Sequence, residues 1–94
     1  MKYKLHYTKS FKQDLRLLAK SPKFSVKKLS VVLIILKNGL QIPVDYKDHP
    51  LKGNWQGFRE LHIQPDWIII YKKHEKELIL ALIRTSSHVK LFKK

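Results

Sequence analysis

Residues 46–67 read YKDHPLKGNWQGFRELHIQPDW, a turn-rich loop that leads into a strand and ends at the start of the next. Titratable groups on loops beside strands are how enzymes usually present catalytic side chains, because strands are rigid and loops can face a substrate. The alternative interpretation is a polar connector that happens to carry histidines. Residues 84–88 (RTSSH) contain another histidine close to an arginine, which favours a catalytic role over a polar connector. The stretch 46–67 contains two histidines, three acids and two tryptophans: His49, His62, Asp48, Glu60, Asp66, Trp55 and Trp67.

The length and charge of the chain limit its architecture and its partners. Its 94 residues, with nothing that resembles a linker, predict a single domain over residues 1–94 whose active site is a surface groove. Twenty Lys and Arg against seven Asp and Glu give a formal charge of +13. Self-repulsion of this size destabilises a compact chain, so a polyanionic partner best explains it. Nucleic acid is the first candidate, an acidic protein the second, and a membrane surface the third.

The chain lacks the marks of export or membrane insertion. It has no cysteine, which fits a reducing compartment, and its N-terminal residues lack an apolar core typical of signal peptides. Its longest uninterrupted apolar run, residues 31–36, is far too short to cross a bilayer. We therefore expect a cytoplasmic protein.

The first 40 residues predict a strand followed by two helices. Tyr3, Leu5 and Tyr7 alternate with polar residues, as in a half-buried strand. The spacing of the next apolar residues predicts a helix from a capping box at Ser10 to about Lys20, before Pro22. A second helix is predicted over residues 25–37, with Gly39 as its stop, although its apolar centre would also suit a strand.

Three strands are predicted after the loop at residues 40–56. They cover residues 57–63, 67–72 and 78–84, and the first places Glu60 and His62 on the same face. Trp67 and Tyr71 alternate in the most apolar strand and are assigned to the core. Short connections favour an antiparallel meander, so the predicted class is α+β, an antiparallel sheet with a two-helix hairpin on one face.

The strand order predicts where the polar residues meet. His62 and Asp66 flank one turn, and hairpin pairing of the last two strands would bring Asp66 near Arg84. The preceding loop delivers His49. We therefore expect these groups to converge at one end of the sheet.

Such a set suits RNA cleavage, in which a base takes the 2′-hydroxyl proton, an acid protonates the leaving 5′-oxygen and a cation neutralises the phosphate. Histidine serves both proton transfers because its ordinary pKa is about 6.5, and arginine binds phosphate through its fork of donors. Each histidine alone could be a surface residue, and His74 in a predicted turn keeps that interpretation. No metal or cofactor is predicted, because the histidine spacings match no compact ligand motif.

Four motifs, in this order, resemble the YafQ-type branch of the RelE/ParE superfamily of bacterial toxins. They are residues 46–53 (YKDHPLKG), residues 58–62 (FRELH), residues 65–71 beginning PDW, and His88 with Leu91–Phe92. The resemblance implies a microbial RNase-like α+β fold and a ribosome-dependent endoribonuclease that cuts translated mRNA. It also implies a small acidic antitoxin that neutralises the toxin and represses the shared promoter.

By motif, the resemblance assigns functional positions to His49, His62, Asp66 and His88, with His88 as the general acid. Arg84 and Phe92 match positions for phosphate and substrate contact. The family commonly has glycine where this chain has Ser86. Two alternatives stay open, a non-catalytic RNA- or ribosome-binding module and a gyrase-poisoning toxin of the ParE branch. Which of Asp66, His49 and His62 is the general base also stays open.

Overall fold

The structure, a computed structural model, describes residues 2–87 and residue 91. Two helices precede most of a five-stranded sheet, and none of the helices in this part of the chain is long and apolar enough to span a membrane. In chain order the elements are β1 (Lys4–Tyr7), α1 (Lys9–Leu18), α2 (Val26–Lys37), β2 (His49–Pro50), β3 (Arg59–Gln64), β4 (Trp67–His74) and β5 (Ile79–Ser87), with 3₁₀ turns at Val44–Tyr46 and Gly53–Trp55.

The N-cap of helix α1 lies two residues earlier than predicted. Thr8, and not Ser10, is the N-cap, and its hydroxyl accepts a hydrogen bond from Phe11 N at 3.2 Å. The same hydroxyl donates to Leu82 O in β5 at 2.8 Å. Thr8 therefore caps the helix and also ties it to the sheet, which a capping box within the helix would not do.

Helix α2 confirms the helical prediction for the apolar residues 31–36. Ser25 caps its N-terminus by accepting from Lys28 N at 3.2 Å. At the other end Asn38 Nδ2 donates to Ile34 O at 2.9 Å, and Gly39 takes the left-handed conformation, with φ 62°. Both ends therefore use the signals that the sequence contains.

The sheet has the strand order β1-β5-β4-β3-β2, which confirms the α+β class and corrects one detail of it. Strands β2 to β5 form antiparallel pairs, but β1 lies parallel to β5, so the sheet is mixed and not purely antiparallel. The chain passes through both helices between β1 and the rest of the sheet, and such a crossover permits parallel pairing. The short strand β2 lies within the predicted loop, at an edge where a proline is tolerated.

The helices cover one face of the sheet, and the main core lies between these layers. Trp67 and Tyr71 are 5 % and 0 % exposed and belong to this core, as predicted. Along β4 the intervening residues, Ile68 and Ile70, are also 0 % exposed, so β4 is a central strand buried on both faces. The residues that pair with these two isoleucines include Glu60 and His62 in β3, so the carboxylate and the imidazole lie on the face away from the helices.

Candidate active site

A histidine–carboxylate–histidine cluster forms where β2 pairs with β3. The register places His49 opposite Glu60, and His62 lies two residues further along β3 on the same face. His49 Nε2 lies 2.8 Å and His62 Nε2 lies 3.1 Å from Glu60 Oε2. Strand pairing therefore brings together two histidines that are 13 residues apart in sequence.

The three side chains differ sharply in exposure. The Glu60 side chain is 1 % exposed, whereas His49 and His62 are 46 % and 21 % exposed. A buried carboxylate needs hydrogen-bond donors, and both imidazoles can supply an N–H. His49 Nδ1 also faces a carbonyl, Pro50 O, at 3.2 Å.

The same three residues form a donor set that could hold a metal ion. One ligand atom from each of His49, Glu60 and His62 lies within 4.8 Å of the others. Imidazole nitrogen and carboxylate oxygen are common ligands of divalent transition metals. Linear spacing did not indicate this set, because the register of β2 on β3 creates it.

A groove runs from the cluster along the end of β3. His62, Gln64 and Pro65 line one side, and Tyr46 and Lys47 line the other, around a volume of about 280 Å³. Lys47 adopts a left-handed conformation with φ 52° at the end of the preceding 3₁₀ turn, a costly geometry for a non-glycine residue. The less exposed of the two histidines thus opens onto a surface groove with a lysine at its wall.

Asp66 and Arg84 do not lie together, contrary to the expectation from sequence. Asp66 lies in the turn before Trp67, which pairs with Ser87, whereas Arg84 pairs with Ile70. Four residues of extended chain, roughly 13 Å, separate the two positions along β4. Asp66 is exposed and borders a separate small groove with Phe24 from the helical layer. The expected juxtaposition fails because β5 continues to Ser87 and a bulge shifts its register.

Arg84 instead forms an ion pair with Asp14 of helix α1. Its Nε donates to Asp14 Oδ2 at 2.7 Å and its Nη2 to Oδ1 at 3.1 Å, while Asp14 Oδ2 also accepts from Thr85 N at 3.0 Å. Strand β1 ends opposite Leu82, so the carboxylate takes the place of a strand partner for the edge of β5. The hydrogen bonds to Asp14 raise the pKa of the Arg84 guanidinium.

A second carboxylate cluster, centred on Asp48, lies on the opposite face of the same strands. Arg59 Nη2 donates to Asp48 Oδ2 at 2.8 Å, and the Tyr71 hydroxyl donates a hydrogen bond to Asp48 Oδ1. Burial, reinforced by Asp48, raises the pKa of Tyr71 well above its ordinary value of about 10. The hydrogen bond to Asp48 also raises the pKa of Arg59.

Two of the predicted site residues, His88 and Phe92, lie outside the described residues. Their assigned roles therefore stay predictions. Ser86, which stands where the family commonly has glycine, lies in β5 and is not among the residues with positive φ. Serine meets no backbone strain there.

Three residues had no role assigned from the sequence: Glu60, Asp48 and Asp14. For Glu60 a signal existed, because an acid two positions before a histidine in a strand shares its face. Asp48 directly precedes His49, but its partners become visible only once β2 pairs with β3. Asp14 lies 70 residues from Arg84 in sequence, and nothing local indicates their contact.

Comparison with known proteins places this chain in a family. Residues 3–93 match the family described as "Bacterial toxin of type II toxin-antitoxin system, YafQ". The chain is 39 % identical over 88 residues to the mRNA interferase toxin YafQ of Escherichia coli strain K12, with 94 % of each chain covered.

Solved structures agree with this match. The Escherichia coli DinJ–YafQ toxin–antitoxin complex contains a chain with TM-score 0.85 and 36 % identity, covering 98 % of this chain and 99 % of that one. A metal-bound toxin from Helicobacter pylori gives TM-score 0.87 and 38 % identity, covering 96 % and 99 %. The chain therefore belongs to the YafQ family of toxins from bacterial type II toxin–antitoxin systems.

Proposed function

We propose that this chain is an endoribonuclease that cleaves translated mRNA on the ribosome by metal-independent attack of the 2′-hydroxyl. The observation that carries the proposal is the His49–Glu60–His62 cluster, two imidazoles on one buried carboxylate beside an open groove. The mRNA interferase activity of the Escherichia coli relative supports it. The net charge of +13 supplies attraction to a polyanion.

The chemistry needs a proton acceptor and a proton donor on opposite sides of the scissile phosphate. The ring centroids of His49 and His62 lie 6.3 Å apart. The carboxylate of Glu60 contacts both rings. The general base is one of His49, His62 and Asp66, and His88 supplies the proton to the leaving 5′-oxygen. Histidine suits both roles because each of its forms is populated near neutrality.

Arg84 is proposed to neutralise charge on the phosphate, with Phe92 contacting a base. Asp14 engages Nε and Nη2 of Arg84, which leaves three of the five guanidinium N–H donors for a ligand. The Arg84 side chain is 35 % exposed, so these donors are accessible. The ion pair with Asp14 thus holds Arg84 in place and leaves N–H donors for a phosphate.

A metal ion is not required for these steps. The donor set His49–Glu60–His62 fits a transition metal, and a bound ion would supply a Lewis acid there. It would also compete with the hydrogen bonds between both imidazoles and Glu60. Acid–base catalysis by histidines that hold no metal ion accordingly predicts cleavage that survives chelation, once magnesium is restored to hold ribosomes together.

A small acidic antitoxin is the proposed protein partner. The Escherichia coli YafQ structures with DinJ show that a relative pairs with an antitoxin. A partner of opposite charge would associate quickly and could cover the phosphate-binding groove. We further propose that the toxin–antitoxin complex binds promoter DNA.

The test is cleavage in a reconstituted translation system, with purified chain, ribosomes and a defined mRNA. We expect discrete mRNA fragments from wild type only when ribosomes translate the message. Of the three variants His49→Ala, His62→Ala and Asp66→Ala, the one that removes the general base should cleave about 10²–10⁴-fold more slowly. His74→Ala is the matched control, because His74 ends β4 away from the cluster. Intact mRNA bound to ribosomes would instead indicate a non-catalytic binding module, and inhibited gyrase supercoiling would indicate a ParE-like toxin.

A further inference from the structure

The segment that carries His49 is held weakly by its backbone. Strand β2 has two residues and lies at the edge of the sheet. One of them is Pro50, which has no N–H to donate. The next backbone hydrogen bond to this neighbourhood joins Leu51 N to Phe58 O at 2.9 Å. A ladder this short does not by itself fix an exposed imidazole to the precision that catalysis needs.

Asp48 supplies the missing attachment through its side chain. Its carboxylate accepts from Arg59 Nη2 at 2.8 Å and Arg59 Nε at 3.2 Å, a two-pronged pair, and from the Tyr71 hydroxyl. Tyr71 is 0 % exposed and part of the main core, so this contact ties the edge segment to the most rigid part of the protein. A planar guanidinium adds orientation as well as attraction.

The two carboxylate clusters lie on opposite faces of the same strands. Arg59 and Tyr71 are paired across β3 and β4, and Tyr71 faces the helices. Glu60, the next residue along β3, faces the other way and holds His49. Successive side chains of a strand point to opposite faces. Asp48 therefore lies on the helix-covered face, and His49 lies on the face away from the helices. Their Cα atoms are about 3.8 Å apart, so a shift at Asp48 moves His49.

We propose that Asp48 is a positioning residue for His49: held by Arg59 and Tyr71 on the helix-covered face, it keeps β2 in the register that places His49 Nε2 beside Glu60. The inference rests on the proposed function and takes His49, among its three candidate bases, as the residue that transfers the proton. The raised pKa of Tyr71 agrees with a hydroxyl that keeps its proton and donates it to Asp48.

Three conservative substitutions separate positioning from general stability. Asp48→Asn removes the charge, Tyr71→Phe removes only the buried hydroxyl, and Arg59→Lys keeps the charge but loses the two-pronged geometry. The controls are Glu77→Gln, an exposed acid in the β4–β5 turn, and Tyr3→Phe, a core tyrosine that is 6 % exposed. Each control repeats the chemical change of one test variant at a position that does not touch β2.

The decisive measurement is single-turnover mRNA cleavage on saturating ribosomes, with each variant made in wild type and in His49→Ala. We expect Asp48→Asn and Tyr71→Phe to slow cleavage about 10- to 100-fold in wild type, with unchanged ribosome affinity. In His49→Ala the same substitutions should change the residual rate less than about twofold, because their effect passes through the missing ring. Equal slowing in both backgrounds would overturn the proposal.

Nuclear magnetic resonance of the histidine rings gives a readout that does not need activity. Asp48→Asn and Tyr71→Phe should shift the ring signals of His49 and leave those of His6 and His74 in place. If wild type does not cleave RNA, the proposed function fails, and the ring signals alone decide whether Asp48 positions His49. Unchanged His49 signals in both folded variants would refute the positioning role.

Discussion

Glu60 Oε2 lies 2.8 Å from His49 Nε2, so a carboxylate whose side chain is 1 % exposed holds an imidazole that is nearly half exposed. The contact crosses from β3 to the edge strand β2 and depends on their register. It gives the cluster a buried acceptor and a solvent-facing imidazole. A buried charge with two imidazole partners is also a feature that a purely structural sheet would not need.

Glu60→Gln tests this relationship. Glutamine keeps the shape but removes the charge that both imidazoles contact, so we expect His49 and His62 to lose their common anchor and cleavage to fall about 10- to 100-fold. The measurement is the single-turnover rate, with Glu77→Gln as the charge-matched control. A rate within about twofold of wild type would show that the carboxylate does not serve catalysis.

The sequence predicted the elements of this fold better than their arrangement. Helix α2 ends at a lysine followed by Asn38 and Gly39, and its cap is Ser25, both readable locally. The parallel pairing of β1 with β5 joins residues some 75 positions apart, such as Lys4 and Ile79, and no local pattern encodes it. The prediction from short connections therefore gave an antiparallel sheet and missed the parallel pair.

In the candidate site, too, the sequence predicted individual residues better than their arrangement. His49 and His62 could be selected as titratable groups around a turn-rich loop, and Glu60 could be placed on the face of His62. Both histidines contact the same carboxylate only because the two-residue strand β2 pairs with β3. This strand was not predicted, because its residues lie in a loop that contains a proline. The pairing of Arg84 with Asp14 depends on where α1 lies relative to the edge of β5, which only tertiary packing decides.

Asp14→Asn should destabilise the protein and loosen Arg84. Asparagine can still accept from Thr85 N, but the charged pair with Arg84 is lost, and Arg84 is partly exposed, so we expect a loss of about 1 kcal/mol. In a domain of this size that lowers Tm by about 4–8 °C. Thermal unfolding measures this effect. An unchanged Tm would show that the contact contributes nothing to stability.

Arg84→Ala should weaken both substrate affinity and cleavage rate, because a phosphate contact acts in the ground state and in the transition state. It also leaves the Asp14 carboxylate, 9 % exposed, with only the Thr85 N–H, so stability falls too. Arg84→Lys retains the charge and serves as the control for folding. Undiminished affinity and rate in folded Arg84→Ala would exclude a phosphate-binding role.

The raised pKa of Tyr71 predicts a loss of stability at high pH. Burial and Asp48 raise its pKa in the folded state, so the protonated hydroxyl stabilises the fold. This contribution is complete below the ordinary tyrosine pKa of about 10 and is lost as pH rises toward the folded-state value. We expect the free energy of unfolding to fall more steeply above pH 10 in wild type than in Tyr71→Phe. Identical slopes in denaturant titrations would contradict the assignment.

His88→Ala should separate activity from stability. The residue follows the last residue of β5, Ser87, and its proposed role is to protonate the leaving oxygen. Losing a general acid costs about 10²–10⁴ in rate, while Tm should stay within a few degrees and affinity for ribosome and antitoxin should persist. Single-turnover cleavage with parallel thermal unfolding checks both. Cleavage within about tenfold of wild type would transfer the acid role to His49 or His62.

The central claim is that the RNA's own 2′-hydroxyl is the nucleophile in a cleavage driven by histidines. The most direct measurement is end-group analysis of mRNA cut on the ribosome, with a matched message that carries one 2′-deoxy nucleotide at the cut site. The account predicts a 2′,3′-cyclic phosphate or 3′-phosphate, a 5′-hydroxyl, and no cleavage of the deoxy message, with or without EDTA pretreatment of the toxin. Full cleavage of the deoxy message would contradict it.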